Sequence, residues 1–304
     1  MKNNKTVGII IITLIYLISL ASVIGIYYLF PASLKNQVLL TLLILDIIAT
    51  LIVYIFSCIF KNASIYDPYW SVAPVFLVLA FMILTNNFHP LAIIFLVLVL
   101  VWSIRLTLNW AMNFKNLNTQ DWRYQGFKDK HPKTFFLINL FGIELFPTII
   151  VYIGLIPGFF FLEKVMKNPG SLNAATIIGF VLMLGATIIE LISDMQMYNF
   201  RKTNKVHGAI MNKGLWKYSR HPNYFGEILF WISIWLTFIS RENRFEIILV
   251  MAACPVSIFL LFQFVSIPML EKRQLKNKPG YRDYINNTNT LWLYPLLKKE
   301  KKEK

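Results

Sequence analysis

Gly214-Leu215-Trp216-Lys217-Tyr218-Ser219-Arg220-His221-Pro222-Asn223-Tyr224-Phe225-Gly226-Glu227 opens as a basic, polar loop and runs unbroken into an apolar segment. Pro222 has no N–H and suits the first turn of a helix, where that donor would lack a partner anyway, so a helix is predicted to start there. His221, standing before a proline, is pushed toward extended backbone. Asn223 and Glu227 are four apart and share one helical face about a turn inside the hydrophobic region. A carboxylate at that depth is costly unless it meets a donor, which makes Glu227 a functional candidate. A helix start flanked by Arg220 and His221 also offers free N–H groups and positive charge to a phosphate or another anion.

The composition around this stretch points to a membrane. Of the 304 residues, 57% are hydrophobic and 15% charged, where a soluble domain carries about 25% charged residues. The net charge of +15 would suggest nucleic acid on a soluble protein. Here the basic residues lie between long apolar runs, so membrane topology is the stronger reading and no nucleic-acid partner is expected. Cys58 and Cys254 both lie within apolar runs, and with four scattered histidines they build neither a disulfide framework nor a metal site.

Runs long enough to cross ~30 Å of hydrocarbon fall at Val7–Phe30, Gln37–Phe60, Val72–Asn87, Pro90–Met112, Thr134–Leu162, Asn173–Asn199, Tyr224–Ser240 and Phe245–Ile267. Val72–Asn87 is short, Thr134–Leu162 contains Pro147 and Pro157, and Tyr224–Ser240 is barely long enough. The fold class is therefore all-α, a polytopic integral membrane bundle of seven or eight transmembrane helices. The first run follows Lys2 and Lys5 and is longer than a signal-peptide core, so it reads as an uncleaved span. With the N-terminus inside, 24 of the thirty lysines and arginines face the cytoplasm and five the outside, with Arg105 inside a span. That asymmetry places both termini in the cytoplasm. No internal repeat and no inverted pair of broken helices supports a transporter.

Some polar residues exceed what topology requires. Glu190 and Asp194 are four apart on the sixth span, and Arg201 returns to nearly the same face two turns later. This stripe could line a polar cavity, or form a structural ion pair between helices. Beyond the last span come Glu271-Lys272-Arg273, then Tyr281 and Tyr284, three apart on a short helix and able to pack together, or to serve as interfacial anchors. In the first half, Asp67 could cap the third span with Pro68 at its first position. Alternatively, Asp67 or Tyr69 is a proton donor. Arg105 needs a partner or must snorkel, and Asn109, Asp121, Arg123 and Tyr124 form a second polar group on the cytoplasmic side.

The stretch Asp67-Pro68-Tyr69-Trp70-Ser71-Val72-Ala73-Pro74, together with Gly214–Glu227, resembles the bacterial DUF1295 membrane proteins, relatives of the steroid 5-alpha-reductases. The C-terminal half is also similar to sterol reductases and isoprenylcysteine carboxyl methyltransferases, which share an Arg-His-Pro-x-Tyr loop and an acidic–basic tail. The resemblance implies one membrane-embedded domain over 1–304, in a bacterial cell membrane. It would comprise N-terminal spans at 1–60, substrate-side spans at 61–170, a cofactor-binding half at 171–297 and a basic tail at 298–304. It implies NADPH held by Glu190, Asp194 and Arg201, by Asn223 and Glu227, and by Glu271 and Arg273, to which the loop adds Lys217, Arg220, His221 and Tyr224. Glu190 stands where the steroid reductases have asparagine, and Met269-Leu270 replaces their Tyr-Leu pair. The expected activity is reduction of a lipid-like enone, with Asp67 or Tyr69 polarising the ketone. The alternative cofactor is S-adenosylmethionine, with Glu227 and Tyr224 facing its sulfonium in a lipid or prenyl-cysteine methyltransferase. A third reading is a non-catalytic lipid-binding protein. Expected partners are membrane lipids and a small lipid-like substrate, with no obligate protein partner.

Overall fold

The computed structural model describes residues 4–168, 172–204, 206–240 and 243–294. Lys2, Lys205, Arg241 and the basic tail 298–304, all counted in the topology reading, lie outside the described residues. The chain divides into two compact units, Met1–Leu172 and Asn173–Lys304.

Unit 1 begins with α1 (Lys5–Leu29), where the Asn4 side chain accepts from the Thr6 N–H at 2.8 Å and so closes the helix start. A short turn, α2 (Ala32–Lys35), leads to α3 (Val38–Phe60), which ends on Lys61 in left-handed backbone. A 3-10 turn at Ala63–Ile65 precedes α4 (Tyr69–Leu84). The long α5 (Pro90–Asn113) is capped by the His89 ring, and the nine-residue α6 (Trp122–Lys130) by Asp121. The unit closes with α7 (Phe135–Leu137), a π-wound turn at Ile138–Leu145 and α8 (Phe146–Lys167). The predicted span with two prolines is thus continuous. Its wide π turn ends just before Pro147, where a proline can neither donate to the carbonyl four back nor avoid crowding it.

Unit 2 consists of α9 (Ala174–Thr203), a 3-10 turn at Gly214–Lys217, α10 (Pro222–Phe238), α11 (Phe245–Leu261), α12 (Ile267–Asn277) and α13 (Tyr281–Asn287). A second π-wound turn, Phe262–Ser266, joins α11 to α12 ahead of Pro268. The predicted helix start at Pro222 is observed, with His221 at the cap position. The closest helix packing in this unit runs along α9 and α10. A Cβ at Gly226 would lie 2.4 Å from Cγ of Glu190 and 3.0 Å from the Ala186 carbonyl oxygen, so glycine is what lets the helices touch.

Among the described residues, seven helical segments are long and apolar enough to cross a membrane by length and composition. They match seven of the eight apolar runs; the remaining run is α10, whose 17 residues make about 25 Å of helix. Large apolar side chains lie on the outside, including Leu17 (55% exposed), Val181 (64%) and Val250 (68%). An exposed greasy surface over an interior that holds the polar side chains is the arrangement that a hydrocarbon solvent selects.

Candidate functional sites

In unit 1 the predicted catalytic pair, Asp67 and Tyr69, belongs to a buried polar network. Asp67 does not cap α4, which corrects that expectation. The helix begins at Tyr69, Pro68 holds the cap position, and no side chain bonds the free N–H groups. The 3-10 turn supplies a partner instead, since the Tyr69 N–H donates to the Tyr66 carbonyl at 2.8 Å. The Asp67 carboxylate is thereby left to accept from the Tyr124 hydroxyl at 2.8 Å. Burial, then the charge of Asp67, hold the Tyr124 phenol well above its usual range, so it keeps its proton and acts as donor.

Tyr69 donates to Asp46 Oδ1 at 2.8 Å. Nearby, the hydroxyls of Tyr66 and Thr148 are 2.8 Å apart, and those of Thr148 and Thr50 are 2.9 Å apart. On the π-wound turn, Glu144 is fully buried and bonds Ser57 Oγ at 2.7 Å. Asp46 and Glu144 are not among the predicted site residues. Their signal was present all the same: each is a single carboxylate inside a predicted apolar run. Of the predicted second polar group, Arg123 pairs with Asp121 at 2.8 Å and Tyr124 joins Asp67, while Asn109 bonds Asn113 instead. Arg105 is 6% exposed, so it is buried and does not snorkel.

In unit 2 the loop of the organising stretch is bound to the tail. Trp216 Nε1 donates to the Ser193 carbonyl on α9 at 3.0 Å, and the Leu215 N–H donates to Gln196 Oε1 at 3.0 Å. Gly214 makes that approach possible, with φ of 58° and Gln196 where a Cβ would stand. Ser219 and Asn289 form a parallel bridge, and the Arg220 N–H donates to the Asn289 carbonyl at 2.8 Å. The Arg220 side chain turns inward. Its Nε donates to Glu271 Oε1 at 2.7 Å, its Nη1 to the carbonyls of Ile285 (3.1 Å) and Thr288, and its Nη2 to the Thr290 hydroxyl at 2.9 Å. A guanidinium has five N–H donors, so most of this one is committed to holding the tail.

His221 Nε2 lies 3.0 Å from the same Glu271 oxygen, and its ring stacks on Tyr224 at a centroid distance of 5.4 Å. Since Glu271 paired with Arg220 is an acceptor only, the imidazole hydrogen must be on Nε2. Burial is the largest influence on His221 and holds it below its ordinary value, against the opposing pull of Glu271. Across the α9–α10 contact, Asn223 Nδ2 reaches Asp194 Oδ1 at 3.4 Å, and Glu190 is buried against Gly226. Glu227 accepts from Trp231 Nε1 at 2.8 Å, one turn along its own helix.

Arg201 lies within electrostatic reach of two other cations, Arg273 and Lys278, and Asp194 is its acidic neighbour. Burial, then the charge of Arg201, hold the Lys278 ammonium below its usual range. Arg201 is repelled by both Arg273 and Lys278, an arrangement that favours an anionic guest. A separate open cavity of about 720 Å³ lies between the loop and α13, walled by Asn212, Lys217, Tyr218, Asp283, Tyr284 and Asn287. Tyr281 and Tyr284 pack with ring centroids 5.6 Å apart, and burial pushes Tyr281 up to about 12.

Apolar helices, an outward greasy surface and polar residues held in the interior define a multi-pass integral membrane protein of the all-helical class. The chain belongs to the family described as protein of unknown function (DUF1295), whose model matches residues 53–288. It is similar to the uncharacterized protein C594.04c of Schizosaccharomyces pombe, 24% identical over 199 residues, or 58% of this chain. The chain spans about 57% of that relative's length. No solved structure matches it.

Proposed function

We propose that the protein is a membrane-bound, NADPH-dependent reductase of a lipid-like enone, with both termini in the cytoplasm. The observation that carries this reading is Arg201, with Arg273 and Lys278 each within its electrostatic reach, beside the Asp194–Asn223 contact. A dinucleotide bearing several phosphate charges fits such a group, because charge-assisted bonds relieve the repulsion among the cations. S-adenosylmethionine fits less well. Its sulfonium calls for an available carboxylate, whereas Glu271 is held by Arg220 and His221 and Glu227 accepts from Trp231.

NADPH, when bound, supplies the hydride. Arg201, Arg273 and Lys278 would neutralise its phosphates, with Lys217 on the wall of the neighbouring cavity. Glu190, Asp194 and Asn223 would position its sugar and amide groups. Arg220 and Glu271 act by fixing the tail and with it the His221–Tyr224 stack. In unit 1, Tyr69 is the proton donor that polarises a ketone oxygen, exchanging its hydrogen bond with Asp46, and Asp67 holds Tyr124. The exposed and buried Phe, Leu and Ile surfaces suit an apolar substrate.

Titration of purified protein in detergent with NADPH, followed by fluorescence, tests the reading. Saturable binding that weakens at least tenfold in Arg273→Ala is the expected result. Saturable S-adenosylmethionine binding with no NADPH binding would replace it with the methyltransferase, and binding of neither would favour a non-catalytic lipid-binding protein.

A further inference from the structure

Glu144 takes no part in the proposed reduction. It lies on the π-wound turn Ile138–Leu145, inside a membrane-crossing segment, with no exposed surface. One carboxyl oxygen, Oε1, lies 2.7 Å from Ser57 Oγ on α3. The other, Oε2, has no hydrogen-bond partner, and neither has Oδ1 of Asn139, a buried residue one turn earlier on the same turn.

The hydrogen count at Ser57 decides the state of the acid. Ser57 Oγ makes three short contacts: with Glu144 Oε1 (2.7 Å), with Asn139 Nδ2 (2.8 Å) and with the Tyr54 carbonyl (3.0 Å). A hydroxyl has one hydrogen to give and two lone pairs to receive with. Asn139 Nδ2 can only donate, and the Tyr54 carbonyl can only accept. If Glu144 were a carboxylate it too could only accept, and two acceptors would compete for one hydrogen. If Oε1 carries a proton, Glu144 donates to Ser57, Ser57 donates to Tyr54, and all three contacts are bonds.

Charge leads to the same state. The ionisable groups that bear on Glu144 are Tyr54 on α3, Tyr66 and Asp67 ahead of α4, and Tyr16 on α1. None of these four brings positive charge, and an uncompensated anion away from water is strongly disfavoured.

We propose that Glu144 is a proton-binding site inside unit 1: a neutral carboxylic acid, held by Ser57 and Asn139, that exchanges its proton with water reaching the π-wound turn. Release breaks the Oε1–H bond, passes the proton to a water molecule and leaves a carboxylate, to which Ser57 then turns its own hydrogen. Oε2 and Asn139 Oδ1 are the acceptors that would hold that incoming water. This site stands independently of any nucleotide in unit 2.

Infrared spectroscopy of the whole protein in lipid, in H₂O and in D₂O, reads the site directly. The carbonyl stretch of a protonated acid should be present in the wild type, move on transfer to D₂O, and be missing in Glu144→Gln. Ser57→Ala should shift that band without abolishing it, which keeps the test available if Glu144→Gln does not fold. Three results would overturn the proposal. They are a Glu144→Gln spectrum with the band intact, a wild-type band that never moves in D₂O, and a band that vanishes when Na⁺ replaces K⁺. The last would make Glu144 and Asn139 a cation site instead.

Discussion

The two units handle buried carboxylates in different ways. In unit 1, Asp46, Asp67 and Glu144 each meet a hydroxyl, from Tyr69, Tyr124 and Ser57 respectively. In unit 2, Asp194, Glu227 and Glu271 meet N–H groups of Asn223, Trp231 and Arg220. The difference is chemical. A hydroxyl gives or receives, so the acid opposite it can be charged or neutral and can pass a proton on. An amide, indole or guanidinium N–H only gives, so the oxygen opposite it must be an acceptor. These three acids of unit 1 thus face groups that can exchange a proton, and those of unit 2 face groups that fix geometry.

The largest expected effect comes from removing the guanidinium that holds the tail. Arg220 is 8% exposed and Glu271 16%, and breaking a buried pair from one side costs about 3–5 kcal/mol. Arg220→Ala should therefore lower the melting temperature markedly and open the segment after residue 278 to protease. Lysine should not rescue it, lacking the planar fork. If stability is unchanged and only ligand affinity falls, Arg220 is a ligand group and not a clamp. Next is the α9–α10 contact, where Gly226→Ala should cost roughly 1–3 kcal/mol, because the new methyl overlaps Glu190 and the Ala186 carbonyl. Chemical denaturation would measure it.

Tyr69→Phe should destabilise by about 1–3 kcal/mol, the cost of leaving the buried Asp46 oxygen without its donor. Adding Asp46→Leu should recover most of that loss, since removing both partners leaves nothing unsatisfied. No recovery would mean that Asp46 has donors besides Tyr69, narrowing the contrast between the units.

The smallest effect is pH dependence at His221. Because burial holds its folded value below the ordinary one, near 6.5, the unfolded chain takes up a proton that the folded chain refuses. Its contribution to stability is complete above about pH 6.5 and declines as the pH falls through the window beneath. His221→Gln should flatten the melting temperature across that window.

How far these features could be read in advance depended on the range of the forces involved. The eight apolar runs, the helix start at Pro222 and the Tyr281–Tyr284 pair all follow from local rules: hydropathy over a span, the missing proline N–H, and helical periodicity. Asp67 misled the local rule because a cap and a long-range acceptor look alike in sequence. Which it became was decided by Tyr124, 57 residues away. Asp46 and Glu144 were visible as lone acids in apolar runs, but their partners were not.

Sequence alone determined that this chain crosses a membrane repeatedly, because burying peptide groups in hydrocarbon demands long uninterrupted apolar helices whatever the tertiary arrangement. It also supplied the family motifs. Only the tertiary structure decided that Arg220 faces the tail, that Arg273 and Lys278 come within reach of Arg201, and that Ser57 meets Glu144. Hydrogen bonds and charge pairs act over a few ångströms between residues distant in the chain, and no local pattern specifies which of several polar side chains will be brought within that range.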